Sequence, residues 1–171
     1  MRKLLAALAT VAVIAAGCGS DQPPSASNDD EVRVGLLYPT AGPQRLGGTE
    51  EERGARLAIE WANDHGGIGG RRVVADAAQI ANPESVPAAM DGLRERGVTI
   101  VLGSHGSAVS AAAAQAATRR QMTVWETGAV GELAGAVAGG RNFFRLAPMG
   151  ANLGRAGIAF VADELAPKAR R

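Results

Sequence analysis

Val98-Thr99-Ile100-Val101-Leu102-Gly103-Ser104-His105-Gly106-Ser107, followed by the alanine-rich residues 108–120, decides the fold class. The run from Val98 to Leu102 is unbroken and mostly β-branched, as expected of a strand buried on both faces. Gly103 to Gly106 read as a tight loop. Ser107 to Arg120 read as a helix, with Ser107 its expected N-cap. A buried strand that turns directly into a helix is the unit from which an α/β sheet is built.

The same alternation extends in both directions. Upstream, Val32-Arg33-Val34-Gly35-Leu36-Leu37 is a short apolar strand that ends at the Pro39–Pro43 turn. Thr49-Glu50-Glu51-Glu52 has the form of a capping box with acids in the first turn of a helix. That helix places Gly54, Leu57, Ala58, Trp61 and Ala62 on one face and stops at Gly66-Gly67. Arg72-Val73-Val74-Ala75 is the next strand. A helix from Ser85 to about Arg96 follows, which keeps Pro87 in its first turn and buries Val86, Ala89, Met90 and Leu93. Downstream, Met122-Thr123-Val124-Trp125 is a strand and Leu133 to Val137 a short helical turn. Asn142-Phe143-Phe144-Arg145-Leu146 is a last strand, and a helix covers residues 151–165. The expected fold is α/β, a doubly wound parallel sheet with helices on both faces.

Composition agrees. Hydrophobic residues make up 46% and charged residues 20% of the 171-residue chain, a globular balance rather than a disordered one. Aromatics are only 4% and the formal charge is +1, so no nucleic-acid partner is expected, since such a surface needs basic patches with stacking aromatics.

The first residues differ from the rest. Met1-Arg2-Lys3 is a basic start, and residues 4–16 are an uncharged apolar run of 13, too short to span a bilayer and of signal-peptide length. Ala15-Ala16-Gly17-Cys18 resembles a bacterial lipobox, with Ala15 standing where Leu is commonest. The resemblance implies cleavage before Cys18 and a lipid on it. Cleavage removes Arg2 and Lys3, leaving 16 basic residues of the original 18 against 17 acidic, a formal −1. Cys18 is the single cysteine, so no internal disulfide is possible. Residues 19–31 contain no large apolar side chain and read as a tether. The expected organisation is a signal peptide at 1–17, a tether at 18–31, a lobe at 32–148 and the start of a second lobe at 149–171.

In a doubly wound sheet ligands sit beyond the carboxyl ends of the strands. This places the candidate site in the loops at residues 40–48, 103–107 and 126–131. Ser107 and the amides of Ala108 and Val109 lie at a helix N-terminus, which suits a carboxylate; Ser107 either contacts ligand, caps its helix or does both. His105 shares that loop. Glu126 either pairs an ammonium or amide group or is a solvated loop carboxylate. Ala129 and Val130 offer backbone groups. The loop of Gln44 to Gly48 either closes over ligand or is simply exposed. His65 is remote from His105, so no metal site is expected. Dinucleotide, phosphate-loop and G-x-S-x-G hydrolase frames are absent, and neither a cofactor nor an enzyme is expected.

Several segments together resemble one family, the leucine/isoleucine/valine-binding proteins. They are Val32 through Pro43 (VRVGLLYPTAGP), Gly54-Ala55-Arg56-Leu57-Ala58-Ile59-Glu60, Asn63, Gly66-Gly67-Ile68, Gly70-Arg71, Gly97 to Gly103, and Phe143-Phe144-Arg145 with Pro148. The resemblance implies the first lobe of a type I periplasmic-binding-protein-like fold, with the second lobe mostly missing from these residues. It implies an exported, lipid-anchored component of an ABC importer on the outer face of the cytoplasmic membrane. Such a protein binds a small amino acid or amide and delivers it to permease and ATPase subunits. A family serine at the loop-to-helix junction, here Ser107, holds the ligand carboxylate. The alternatives are a ligand-sensing receptor domain of the same fold and a truncated, non-functional product. A half-cleft is expected to bind weakly, because closure of two lobes buries the ligand.

Overall fold

The computed structural model describes residues 30–131 and 141–165. The signal peptide, Cys18, nearly all of the tether, the turn expected at residues 133–137 and the last six residues lie outside them.

The elements are β1 (Glu31–Pro39), α1 (Arg45–Asp64), β2 (Arg72–Ile80), α2 (Val86–Glu95), β3 (Ile100–Gly103), α3 (Ser107–Arg120), β4 (Thr123–Glu126), β5 (Phe143–Arg145) and α4 (Gly150–Phe160). A 3₁₀ turn, Pro83–Ser85, precedes α2, and one π turn, Val161–Leu165, follows α4. The described strands form one sheet in the order β2-β1-β3-β4-β5, and every neighbouring pair is parallel. The chain therefore turns one way from β1 to β2 and the other way from β3 to β4. That reversal lies between β1 and β3, where a ligand crevice is expected.

The side chains of each strand alternate between the two faces. Leu37, Ile80, Val101 and Val124 point to one face, where they pack with Val86, Met90 and Leu93 of α2 and Val109, Ala113, Ala116 and Ala117 of α3. The alanines of α3 let its backbone approach the sheet closely. Ser85 is the N-cap of α2 with Pro87 in its first turn, as the sequence indicates, and Asn82 separately caps the 3₁₀ turn, accepting the Ser85 N–H at 3.0 Å.

On the other face, α1 lies over β1 and β2. Asn63 fastens its end, accepting the Val73 N–H at 2.7 Å and donating to the Val73 carbonyl at 2.9 Å. Three expectations are corrected here. First, α1 starts at Arg45, so Thr49 is interior and makes no capping box; the N-cap is Gln44, without a side-chain cap bond. The early start requires Gly48, because a Cβ there would sit 2.2 Å from the Pro39 carbonyl oxygen. Second, Leu57 and Trp61 face outward, 67% and 63% exposed. The stripe turned to the sheet is Ala55, Ile59 and Ala62, so Ala62 of the expected face is retained and the helix is rotated slightly from the rest of it. Third, β3 is not buried on both faces. Ile100 is 38% exposed and borders an apolar groove of about 450 Å³ with Val34, Leu102, Trp125 and Leu146. Ala55, Ala58, Ile59 and Ala62 of α1 form the opposite wall, so the groove lies between this helix and the sheet.

β2 is longer than Arg72-Val73-Val74-Ala75 suggests. Asp76-Ala77-Ala78-Gln79 has poor strand propensity, but its backbone pairs with Gly35-Leu36-Leu37-Tyr38 of β1, and the ladder overrides the propensity.

Candidate functional site

The loops after β1, β3 and β4 meet at the carboxyl end of the sheet, beside the reversal of strand order. A polar chain joins them. The Tyr38 hydroxyl, at the end of β1, lies 3.2 Å from Thr127 Oγ1. Thr127 in turn donates to Glu51 Oε2 at 3.0 Å, and Glu51 Oε1 pairs with His105 Nδ1 at 2.7 Å. Glu51 thus ties the first turns of α1 to the loops after β3 and β4. Gly128 makes this possible, since a Cβ there would come within 1.9 Å of Glu51 Oε1.

Tyr38 is 1% exposed. Burial, with the negative charges of Glu51, Glu126 and Glu52 around it, pushes its hydroxyl up to about 12 from 10.0, against the lowering effect of the Thr127 bond. The folded state therefore holds this proton more tightly than the unfolded state does. The associated stability is complete below pH 10 and is lost as pH rises through about 12. The shift corresponds to roughly 2–3 kcal/mol. Tyr38 is the single tyrosine, so tyrosinate absorbance reports it directly. Tyr38→Phe is expected to remove this part of the alkaline destabilisation; an alkaline unfolding curve identical to that of the unmodified chain would contradict the assignment.

Glu126 is not a solvated loop carboxylate. It is the last residue of β4 and is fully buried. Its Oε1 accepts the Gly128 N–H at 2.7 Å, the Ala129 N–H, and a long 3.5 Å contact from the Ser110 hydroxyl. Its Oε2 faces Arg145 Nε of β5 at 3.3 Å. Neither that oxygen nor the buried Arg145 Nη2 has a hydrogen-bond partner among the described residues, so the contact is an ion pair rather than a well-formed fork. Glu126 folds its own loop back onto the strand end.

Ser107 does not cap α3. The N-cap is Gly106, and Ser107 is the first helical residue. Its hydroxyl instead accepts the Gly131 N–H at 2.9 Å, which joins the β3–α3 junction to the far end of the β4 loop. Ser110 N–H is bonded to the Gly106 carbonyl at 3.0 Å. The N–H groups of Ser107, Ala108 and Val109 precede it in the first turn, where a helix supplies no acceptor. Ala108 is exposed, while Val109 is buried at 2%. Ala129 is fully buried, and its N–H goes to Glu126. Val130 is 50% exposed, and its carbonyl accepts the Gly150 N–H at 2.7 Å. The Gln44-to-Gly48 stretch is neither a lid nor a free loop, because Arg45 to Gly48 form the first turn of α1.

The sequence reading missed Tyr38, Glu51, Thr127 and Arg145. Glu51 was legible only as a helix-start acid, because its partners lie 54 and 76 residues away. Tyr38 was the accessible signal, a polar-tipped aromatic at the end of a buried strand.

The family model described as periplasmic binding protein matches residues 31–169. The chain belongs to the periplasmic binding protein family.

Among relatives of this family, the Leu/Ile/Val-binding protein homolog 7 of Brucella melitensis is 29% identical over 174 aligned positions, covering 100% of this chain and 41% of the relative. Homolog 8 of Brucella abortus is 31% identical over 139 positions, 80% of this chain and 34% of the relative. The chain thus spans about two fifths or less of these relatives. An ABC transporter substrate-binding protein from Sphaerobacter thermophilus superposes with a TM-score of 0.70 at 24% identity, over 80% of this chain and 37% of that one. The branched-chain amino acid substrate-binding protein LivJ of Streptococcus pneumoniae, in complex with isoleucine, gives 0.68 at 23% identity, over 79% and 39%. These likenesses make the described sheet the first lobe of a type I periplasmic binding protein fold, a solute-binding architecture.

Proposed function

We propose that the chain is part of the solute-capturing component of an ABC importer, exported and held at the outer face of the membrane by a lipid on Cys18. Its ligand is a small amino acid or amide, passed to permease and ATPase partners. Residues 32–148 form the first ligand-binding lobe, and residues 149–171 begin the second. The reading is supported by one arrangement above all. The open first turn of α3, with Ser107 at its head and Ala108 and Val109 behind it, faces the residue 126–131 loop at the reversal of strand order. Such a turn holds a carboxylate through N–H groups and the positive helix end. Relatives named for leucine, isoleucine and valine fit a carboxylate-bearing ligand.

Within this site the nearby Glu51–His105 pair and Val130 border the ligand, whereas Glu126 and Ala129 support the loop from beneath. Ser107→Ala in the complete protein is expected to weaken amino-acid or amide binding by about 10- to 100-fold, the range for a lost hydrogen bond to a charged group. Calorimetric titration with leucine, isoleucine, valine and short amides measures it. Failure of all of these to bind, or an unchanged Kd in the variant, would reject the assignment. Lipidation is tested separately by incorporation of labelled fatty acid, which Cys18→Ser should abolish.

A further inference from the structure

The end of the lobe opposite the candidate site carries a second surface. All the strands are parallel, so their amino ends and the carboxyl ends of the covering helices share one pole. Arg71 and Arg72 open β2, Arg94 and Arg96 close α2, Arg119 and Arg120 close α3, and Arg141 precedes β5. Arg96 pairs with Asp76 at 3.2 Å, and Arg120 with Asp91 at 2.6 Å. Arg71, Arg72, Arg94, Arg119 and Arg141 are exposed and have no carboxylate partner among the described residues. The carboxylates similarly left over at this pole are Asp64 and Glu95, the last residues of α1 and α2. Helix dipoles account for Arg94 and Arg119, which sit in last turns. They do not account for Arg71, Arg72 and Arg141, which are not helical.

Two further observations place this pole. A concavity of about 700 Å³ opens there, walled by Arg33, Arg71, Arg96 and Thr99 together with Glu31 and Glu95. Arg33 pairs with Glu31 and Asp76, and Arg96 with Asp76, so Arg71 is the cation of this wall left to meet an anion. The chain also enters the lobe at the same end. β1 begins at Glu31, 13 residues after Cys18, and 13 residues reach at most about 45 Å when fully extended. A lipid on Cys18 would therefore hold this pole near the bilayer.

We infer that the arginine pole docks on anionic phospholipid headgroups, so that the lobe rests on the membrane with its ligand loops turned outward. The inference rests on the proposed lipid anchor for its biological setting, but the surface itself can be tested without it. The mature chain from Gly19 onward, unlipidated, is sedimented with vesicles of phosphatidylcholine alone or mixed with phosphatidylglycerol. Binding to the mixed vesicles only, and its loss when added salt shortens the screening length, is the expected result. Arg71→Glu with Arg72→Glu should lower partitioning by about tenfold or more, whereas Arg155→Glu on α4 should not. Arg94→Glu with Arg141→Glu provides a second pair should the first perturb β2. Equal binding to both vesicle types, or full retention by either folded charge-reversal pair, would overturn the inference. Such a failure would leave the fatty-acid result for Cys18 unaffected, so the two readings fail independently.

Discussion

Arg145→Ala is expected to lower the free energy of unfolding by about 3–5 kcal/mol, the range for leaving one member of a buried ion pair without its counter-charge. Glu126 is fully buried, and the Arg145 side chain is 17% exposed. Removing the guanidinium leaves the carboxylate with the Gly128 and Ala129 amides and no cation. The effect has two readouts. The midpoint of urea unfolding should fall with little change in slope, and the residue 126–131 loop should lose protection from hydrogen exchange. Glu126→Gln combined with Arg145→Met removes both charges and should recover most of the loss. If the double variant is as unstable as Arg145→Ala, the damage is steric and the electrostatic account is wrong. Because this loop also carries Val130, the same variant should impair any ligand binding, whereas Ser107→Ala, which removes the part-buried bond from the Gly131 N–H, should impair binding at a stability cost of only about 1 kcal/mol.

Leu93→Ala is expected to cost about 2–5 kcal/mol, the range for truncating a buried leucine in a core that relaxes only partly. Leu93 is fully buried on α2, and a Cβ built on Gly35 would lie 3.1 Å from its Cδ1 and 3.1 Å from Val98 Cγ1. The β1 backbone therefore packs directly on this side chain. Neighbouring atoms cannot readily fill the space, because Gly35 has no side chain to turn into it. Leu93→Met keeps the volume and should cost less than about 1.5 kcal/mol. Thermal unfolding of the two variants separates the accounts. Equal losses would mean that side-chain shape rather than cavity formation dominates, and a negligible loss in Leu93→Ala would mean that α2 can settle onto β1.

Much of the architecture was legible from residue order. The alternation of β-branched runs with alanine-rich and amphipathic stretches indicated a parallel α/β sheet, and the sheet has that form. The span of α3 was also legible, since an alanine-rich stretch led by a Gly-containing loop has few alternatives. The apolar face of α2 was read correctly at Val86, Met90 and Leu93. The start of α1 was not legible. Gly47 and Gly48 look like loop residues by propensity, and only the nearness of His105 and the Pro39 carbonyl explains glycines inside a helix. The orientation of α1 was misread for a related reason. Two adjacent stripes of that helix are apolar, and a sequence period alone does not say which one meets the sheet.

The candidate site divides along the same line. Its location at the carboxyl ends of β1, β3 and β4 followed from local patterning, because strand direction and chain connectivity together fix where the loops gather. The roles inside it did not follow. Ser107 looked like an N-cap, yet its hydroxyl bonds Gly131, 24 residues on. Glu126 looked like a loop acid, yet it is buried against Arg145 of the next strand. Glu51, Thr127 and Tyr38 were separate features until the fold joined them. Hydrophobic periodicity and turn chemistry act over a few residues, so the sequence by itself determined the fold class and the end of the sheet where the loops of the candidate site collect. Which polar atom meets which depends on side chains brought together across tens of residues by strand order and helix rotation, and only the tertiary structure decided that.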